Sequence, residues 1–249
     1  MNKTNIAVLT GGFSAESNIS LLSSVKVLEW IDKSTYNAWL VHISKQSWSV
    51  ELADGAKVDV DRNDFSFRLN GEKVQFNFAV FFPLHGPPAE DGKIQGYLDM
   101  LNIPYTGCGV LASSVSFDKS ACKLYLAHTG VAMARSVLCY KNDSVSSNTA
   151  LISGKLELPV FVKPNKNGSS YGVTKVKHAS ELAAALIKAF DFDDEVIVEE
   201  FIEGREFSCG VYTLKGETTS LPPTEIISET DFFDYEAKYL GKSNEVTPA

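Results

Sequence analysis

The chain has 249 residues, of which 44% are hydrophobic and 22% are charged, a composition typical of a globular protein large enough to bury its core in two or three domains. Its formal net charge of −8 argues against nucleic acid, or an anionic membrane surface, as the main partner. The sequence has no apolar run that could span a bilayer and no secretory leader pattern at its start, so we expect a cytoplasmic protein.

The first part of the chain alternates strand patterns and helix patterns. A short apolar run at residues 6–10 ends in Gly11-Gly12, which predicts a buried parallel strand that meets a turn. Asn70-Gly71 lies inside an alternating stretch and predicts a β-hairpin over residues 65–76. The other predicted elements are strands over 38–43 and 78–83, a helix over 92–101, and a helix from Ser17 with apolar positions at Leu21, Leu22, Val25, Val27, Leu28 and Ile31. This order predicts an open α/β sheet, a fold that binds ligands beyond the carboxyl ends of its strands.

The order of elements changes after Asp118. Two strands, over 160–163 and 173–176, are joined by a polar turn, and a helix over 181–190 follows with Ser180 as its cap. The other predicted elements are a helix over 119–129, strands over 195–201 and 206–213, a polar insertion at 144–148, and a final stretch at 241–249 without a strand or helix pattern. We therefore expect a second, α+β domain and a chain that ends inside a third region.

Two loops of the first region carry polar residues at the ends of predicted strands. Residues 10–16 (TGGFSAE) place two glycines before a helix, which suits close approach of the backbone to a ligand but is also typical of a structural turn. Glu16 could hold an ammonium group, or it could favour the helix N-terminus. In the second loop, residues 84–92 (LHGPPAEDG), His85 could either bind a carboxylate or be a structural histidine.

Three segments of the second region suit a nucleotide. In residues 162–172 (VKPNKNGSSYG), a lysine that ends a strand precedes a Gly-Ser-Ser loop; this combination suits phosphate, although such loops are also simple turns. Residues 199–202 (EEFI), followed by Glu206, could grip ribose hydroxyls and a base edge, or could form a half-exposed acidic strand. Residues 233–239 (FDYEAKY) suit a lid over a phosphoryl site.

Taken together, these segments resemble the D-alanine–D-alanine ligases of the ATP-grasp superfamily, from residue 6 to the last residue. The resemblance rests on the order and spacing of the strings TGGFSAE, LHG…EDG…QG, PYTGCGVLAS, DK, VKP…GSSYGV, VEEFIEGREF and FDYEAKY. It implies an N-terminal open parallel-sheet (pre-ATP-grasp) α/β domain over 1–118 that binds the first D-alanine, followed by an α+β ATP-grasp fold. That fold would have a central subdomain over 119–208 and the start of a C-terminal subdomain over 209–249.

The resemblance also implies roles for individual residues. Glu16 would bind the ammonium group of the first D-alanine in a hydrogen-bonded triad with Ser169 and Tyr239, and His85 would lie near the same substrate. The ATP contacts would come from three lysines and the glycine loop for the phosphates, from one strand end for the adenine, and from a glutamate for the ribose. The phosphate contacts would be Lys119, Lys163, Lys238 and Ser170. The adenine contacts would be Glu199, Glu200, Phe201 and Ile202, and the ribose contact would be Glu206.

The implied reaction has two steps. ATP phosphorylates the carboxylate of a first D-alanine, and the amine of a second D-alanine attacks the acyl phosphate to give D-alanyl-D-alanine, a peptidoglycan precursor. Lysines and a donor-rich loop suit this chemistry, because phosphoryl transfer depends on positioning and on charge neutralisation. The resemblance further implies Mg²⁺ or Mn²⁺, and a homodimer through the N-terminal domain.

The family's ligands for the metal lie beyond a point that matches Ala249. We therefore expect the ATP-grasp fold to be incomplete at its C-terminus, with no metal ligand in this chain and weak or absent activity. Two departures from the family pattern are Pro87-Pro88-Ala89, where a glycine is usual, and Asn167, where relatives often have glutamate. Two alternatives stay open: a ligase that makes D-alanyl-D-lactate or D-alanyl-D-serine, against which Tyr239 argues, and a non-catalytic protein that binds ATP or D-alanine.

Overall fold

The structure is a computed structural model and describes residues 3–14, 16–80, 83–228 and 243–249. The chain divides into two compact units between Tyr125 and Leu126. Within the described ranges, no helix is both long enough and apolar enough to cross a membrane. The domain boundaries at residues 118 and 208 stay a prediction.

The first unit is built on a seven-stranded sheet in the order β6-β5-β4-β3-β2-β1-β7. The strands β2, β1 and β7 are parallel, and β3 to β6 extend the sheet as an antiparallel meander. The strands are β1 Thr4–Gly11, β2 Tyr36–Ile43, β3 Trp48–Glu51, β4 Lys57–Asp61, β5 Ser66–Leu69, β6 Glu72–Gln75 and β7 Phe78–Val80. The helices that begin in this unit are α1 Ser17–Trp30, α2 Lys93–Met100, α3 Val110–Phe117 and α4 Lys119–Leu126.

Strand β1 is buried on both faces because it lies between two parallel neighbours. Ile6 and Val8 face one side, where they pack with Val27 of α1. Ala7 and Leu9 face the other side, in a larger core that includes Leu98 of α2. The predicted buried strand is therefore confirmed, and so is the hairpin: Asn70 and Gly71 connect β5 to β6 with φ angles of 51° and 85°, the left-handed pair that a type I′ turn requires.

The buried face of α1 differs from the apolar pattern that the sequence shows. Leu21, Leu22 and Val25 are exposed to 39%, 72% and 43%, whereas Ser20 and Ser24 are buried. The Ser24 hydroxyl lies 2.6 Å from the carbonyl oxygen of Ser20 in the same helix and 3.1 Å from that of Leu9 on β1, both of which are acceptors within hydrogen-bond distance. Small serine side chains therefore let the helix lie close to the sheet, with their hydroxyls satisfied by backbone carbonyls.

The core of the first unit provides a test of the fold. Leu98 is fully buried in it, so Leu98→Ala is expected to lower the free energy of unfolding by about 3 kcal/mol. Met100 on the same helix is 78% exposed, and Met100→Ala is expected to change this free energy by less than about 0.5 kcal/mol. Urea unfolding followed by tryptophan fluorescence reports on this unit, since Trp30, Trp39 and Trp48 all belong to it. Equal losses for the two variants would contradict this packing.

The second unit contains a four-stranded antiparallel sheet in the order β10-β9-β11-β8. Its elements are β8 Ser136–Tyr140, α5 Val145–Lys155, β9 Val160–Pro164, β10 Thr174–Val176, α6 Leu182–Phe190 and β11 Glu195–Glu200. One face packs in a core with α5 and α6 and carries Val160, Val162, Val196 and Val198. Because side chains alternate along a strand, Phe161, Lys163 and Glu199 lie on the opposite face.

Four expectations for this unit are wrong. Ser180 does not cap the helix: it lies in a 3-10 turn, Ala179–Glu181, that precedes α6 and is capped by His178 in a capping box with Glu181. Residues 144–148 are the cap and first turn of α5 rather than an insertion. The stretch 206–213 forms two strands, and residues 243–246 form another. The remaining strands are β12 Glu206–Ser208, β13 Val211–Leu214, β14 Glu217–Ser220, β15 Thr224–Ser228 and β16 Ser243–Val246, in the sheets β12-β15-β16 and β13-β14.

Candidate functional site

Glu16 places a buried carboxylate at the start of α1, beyond the carboxyl end of β1. Among the described residues of α1, none receives a capping hydrogen bond from the Glu16 side chain. Instead, the Ser14 hydroxyl lies 3.4 Å from Glu16 Oε2 as a donor. Gly86 has a φ of +69°, and a Cβ atom there would lie 2.8 Å from Oε2, so the backbone of the second loop approaches the carboxylate closely. A buried carboxylate of this kind is suited to a positively charged group.

His85 is held against the same helix by two serines. Its backbone N–H donates to Ser20 Oγ at 2.9 Å, and its Nε2 lies 3.3 Å from the Ser23 hydroxyl. The Ser20 hydroxyl in turn donates to the carbonyl oxygen of Glu16 at 3.3 Å. The structure therefore brings Glu16 and His85 together, as the sequence predicts, and adds Ser20 and Ser23. Their i, i+3 spacing on a helix is the one sequence signal that could have identified them.

The charges around this loop favour a cation. Glu90 keeps an exposed surface, but the surrounding protein raises the pKa of its carboxyl by desolvation, and the nearby Glu16 carboxylate raises it further. The Lys119 ammonium acts on the pKa of Glu90 in the opposite direction. Lys119 therefore lies near the acidic loop of the first unit, and an ammonium group placed beside Glu16 would also favour the charged form of Glu90.

In the second unit, Lys163 and Glu199 form an ion pair on the face of the sheet opposite the core. Their Nζ and Oε2 atoms are 2.6 Å apart, and the side chains are 25% and 16% exposed. Phe161 lies directly opposite Glu199 on the neighbouring strand, and its ring centroid is 6.0 Å from that of Phe201. This face combines a cation, a carboxylate and an aromatic pair, which suits a nucleotide with its phosphates, ribose and base.

The Glu200 side chain is engaged by Arg135. The backbone N–H and the Nε of Arg135 donate to Glu200 Oε1 and Oε2, each at 2.7 Å. A base contact by Glu200 would therefore come from its backbone. Sequence reasoning missed Arg135, because it lies 65 positions from Glu200 and outside the motifs that the sequence analysis identified.

The loop after β9 is anchored to the start of β11 and to the turn that precedes it. The Lys166 N–H donates to Asp193 Oδ2 at 2.6 Å, and the Lys166 ammonium donates to Glu195 Oε2 at 2.6 Å. Between these contacts and β10, Ser169 and Ser170 have φ angles of 49° and 59°. Two successive positive φ angles make a tight turn here, and the serine hydroxyls and backbone N–H groups of such a turn are donors that suit phosphate oxygens.

The other predicted site residues are placed as follows. Ile202 is 64% exposed, and Glu206 is an exposed residue of β12. Lys238 and Tyr239 lie outside the described residues, as does the predicted lid at 233–239. Within the described part of the chain, no group of three or more histidine, cysteine, aspartate or glutamate side chains is arranged to hold a metal ion.

Two family models match the chain. The model described as the D-ala D-ala ligase N-terminus matches residues 5–108, and the model described as the D-ala D-ala ligase C-terminus matches residues 125–249. The D-alanine–D-alanine ligase of Bacteroides fragilis is 45% identical over 247 residues, a match that covers 99% of this chain and 75% of that relative.

Solved structures of the same family are similar to the whole chain. D-alanyl-alanine synthetase A from Vibrio cholerae aligns with a TM-score of 0.85 at 30% identity, over 100% of this chain and 75% of its own. The VanG D-Ala:D-Ser ligase from Enterococcus faecalis aligns with a TM-score of 0.84 at 30% identity, over 100% and 77%. The D-alanine–D-alanine ligase from Bacillus anthracis complexed with ATP aligns with a TM-score of 0.70 at 29% identity, over 99% and 71%. The expected fold class, an open α/β sheet domain followed by an ATP-grasp fold, is confirmed, and the chain belongs to the D-alanine–D-alanine ligase family.

Proposed function

We propose that this protein joins two D-alanines to D-alanyl-D-alanine at the expense of ATP, as a step in the supply of peptidoglycan precursors in the cytoplasm. The observation that carries the proposal is the presence of two features in a chain of this family. The first unit has a buried carboxylate at Glu16, and the second unit has the open sheet face that carries Lys163 and Glu199. The first suits an amino-acid ammonium group, and the second suits a nucleotide.

The first unit binds the first D-alanine. The Glu16 carboxylate, beside the Ser14 hydroxyl, pairs with the substrate ammonium. His85, held by Ser20 and Ser23, lies near the same substrate. The resemblance to the family supports a role for Ser169 and Tyr239 together with Glu16 in the reaction of this substrate.

The second unit binds ATP. Lys163 neutralises phosphate charge together with Lys119 and Lys238, and the backbone N–H groups around Ser170 donate to phosphate oxygens. Glu199 to Ile202 contact the adenine, with Phe201 as an aromatic wall, and Glu206 contacts the ribose. We propose that ATP binds as its Mg²⁺ complex.

The chemistry proceeds by transfer of the γ-phosphoryl group to a carboxylate oxygen of the first D-alanine, which releases ADP. The uncharged amine of the second D-alanine then attacks the acyl carbon. The C–N bond forms, the C–O bond to phosphate breaks, and the amine loses a proton. The residues contribute by positioning and by stabilising the negative charge that develops on the phosphoryl oxygens.

The proposal is tested by ADP release and by binding. With ATP and Mg²⁺, ADP release is expected to require D-alanine rather than L-alanine, with D-alanyl-D-alanine detected by mass spectrometry. Calorimetry with AMP-PNP, and separately with D-alanine, tests the two sites even where turnover is slow. A chain that binds neither compound, or that releases ADP equally with the two alanine isomers, would overturn the proposal.

D-Serine as the second substrate is a distinct candidate, because the VanG D-Ala:D-Ser ligase is as similar to this chain as the Vibrio synthetase is. Competition between D-alanine and D-serine in the dipeptide product separates the two acceptors. A homodimer through the first unit also stays a proposal, and a monomer in sedimentation would remove it.

A further inference from the structure

An aromatic pair and two lysines occupy the open face of the four-stranded sheet in the second unit. Phe161 on β9 lies directly opposite Lys175 on β10, and Lys163 follows Phe161 on the same face. Phe201 comes directly after β11, with its ring centroid 6.0 Å from that of Phe161. Of these four residues, the sequence analysis identified Lys163 and Phe201 as functional, but neither Phe161 nor Lys175.

The two lysines make different contacts. Lys163 forms the 2.6 Å ion pair with Glu199, and its Nζ is 5.4 Å from the centroid of Phe161. Lys175 Nζ lies 3.7 Å from the centroid of Phe201 and 5.9 Å from that of Phe161. An ammonium group within 6 Å of a ring centroid is attracted by the electron-rich face of the ring. The contact with Phe201 is therefore a close cation–π interaction that covers one face of the ring.

This contact limits the freedom of the Phe201 side chain. Its backbone is already fixed, because its N–H donates to the carbonyl oxygen of Pro159 at 3.0 Å. Phe201 itself comes directly after the last residue of β11, next to the pairing of Glu200 with Val160. An ammonium group held over one face fixes the ring plane and leaves the rest of the ring to contact a ligand.

We infer that Lys175 is a positioning residue for the nucleotide base: it acts through Phe201, whose ring it holds as a wall of the purine pocket. The inference rests on the proposed function, in which the segment Glu199 to Ile202 meets the adenine. It predicts that the positive charge at position 175 affects nucleotide binding while leaving D-alanine binding unchanged.

The test measures the Kd of AMP-PNP by calorimetry on the full chain. Lys175→Met keeps much of the length of the side chain and removes its charge, so the Kd is expected to rise about five- to tenfold. Lys175→Arg keeps a cation that also stacks on aromatic faces, and is expected to stay within about twofold of the parent chain. Lys188→Met is the matched control. Lys188 is an exposed lysine of α6 whose Nζ lies 3.5 Å from the hydroxyl of Thr174, the residue before Lys175 on β10.

A double-mutant cycle with Phe201→Leu shows whether Lys175 acts through the ring. In the Phe201→Leu background, Lys175→Met is expected to have almost no further effect on the Kd of AMP-PNP. An unchanged Kd in Lys175→Met, equal losses in Lys175→Met and Lys175→Arg, or additive losses in the cycle would overturn the inference. If the parent chain itself does not bind AMP-PNP, the proposed function fails together with the inference; parent binding with an unaffected Lys175→Met overturns the inference alone.

Discussion

Replacement of Glu16 by glutamine is expected to raise the Kd of D-alanine by about 100-fold, equivalent to about 2.7 kcal/mol. The residue is only 4% exposed, so the charge that its carboxylate presents to an ammonium group is poorly screened by water. Glutamine has nearly the same shape and can still accept the hydrogen bond from Ser14, but it has no charge. Calorimetry with D-alanine measures the change, and the Kd of AMP-PNP is expected to stay constant.

The matched control is Glu29→Gln, which removes the same charge from the same helix. Glu29 is paired with Lys26 at 2.9 Å on the exposed surface, where the two side chains are 55% and 63% exposed. This variant should bind D-alanine as the parent chain does, because an exposed charge is screened by solvent. Equal binding of D-alanine by Glu16→Gln and the parent chain would show that the ammonium group is held elsewhere.

Replacement of Lys163 by methionine is expected to affect both nucleotide binding and stability. The loss of one phosphate-binding cation should weaken AMP-PNP binding by about 100-fold. The same change removes the Lys163 partner from the half-buried Glu199 carboxylate, 2.6 Å away, which should lower the stability of the second unit by about 2 kcal/mol. Calorimetry and thermal unfolding measure the two effects separately.

The double variant Lys163→Met/Glu199→Gln separates these two effects. Neutralising the glutamate removes the cost of a half-buried charge, so thermal stability should return towards that of the parent chain. Nucleotide binding should not return, because the cation is still absent. Recovery of binding in the double variant would mean that Lys163 serves only to neutralise Glu199 and does not contact phosphate.

Local patterns predicted the elements that local forces determine. The run at residues 6–10 is a buried parallel strand, and Asn70-Gly71 is the hairpin turn. The final strand, residues 243–246, was missed because its polar sequence has no pattern of its own. It is a strand because it pairs with β15, a partner that single-sequence periodicity cannot identify.

The buried face of α1 shows a second limit of sequence patterns. The predicted apolar positions Val27, Leu28 and Ile31 do pack in the core. Leu21, Leu22 and Val25 are exposed, and the helix buries Ser20 and Ser24 instead. Close packing of a helix on a sheet favours small side chains over apolar ones when backbone carbonyls can accept their hydroxyl hydrogens.

The candidate site was predicted in its principal residues but not in its supporting contacts. Glu16, His85, Lys163 and Glu199 could be identified because they lie in motifs that resemble a family. The partners Arg135 and Lys175 could not, since the pairings of Arg135 with Glu200 and of Lys175 with Phe201 join residues that are far apart in the sequence. Contacts of this kind are set by strand order and register, which become known only with the fold.

The hydroxyl of Ser20 has a consequence for the thermodynamics of binding. The Ser20 hydroxyl accepts the His85 N–H and donates to the carbonyl of Glu16, so a single buried group holds the backbone on both sides of the proposed amino-acid site. The entropy of ordering these two segments is therefore lost when the protein folds and not when a ligand arrives. The effects of substitutions at Glu16 and His85 on the Kd of D-alanine should consequently be non-additive, because the Ser20 hydroxyl is hydrogen-bonded to the backbone of both residues.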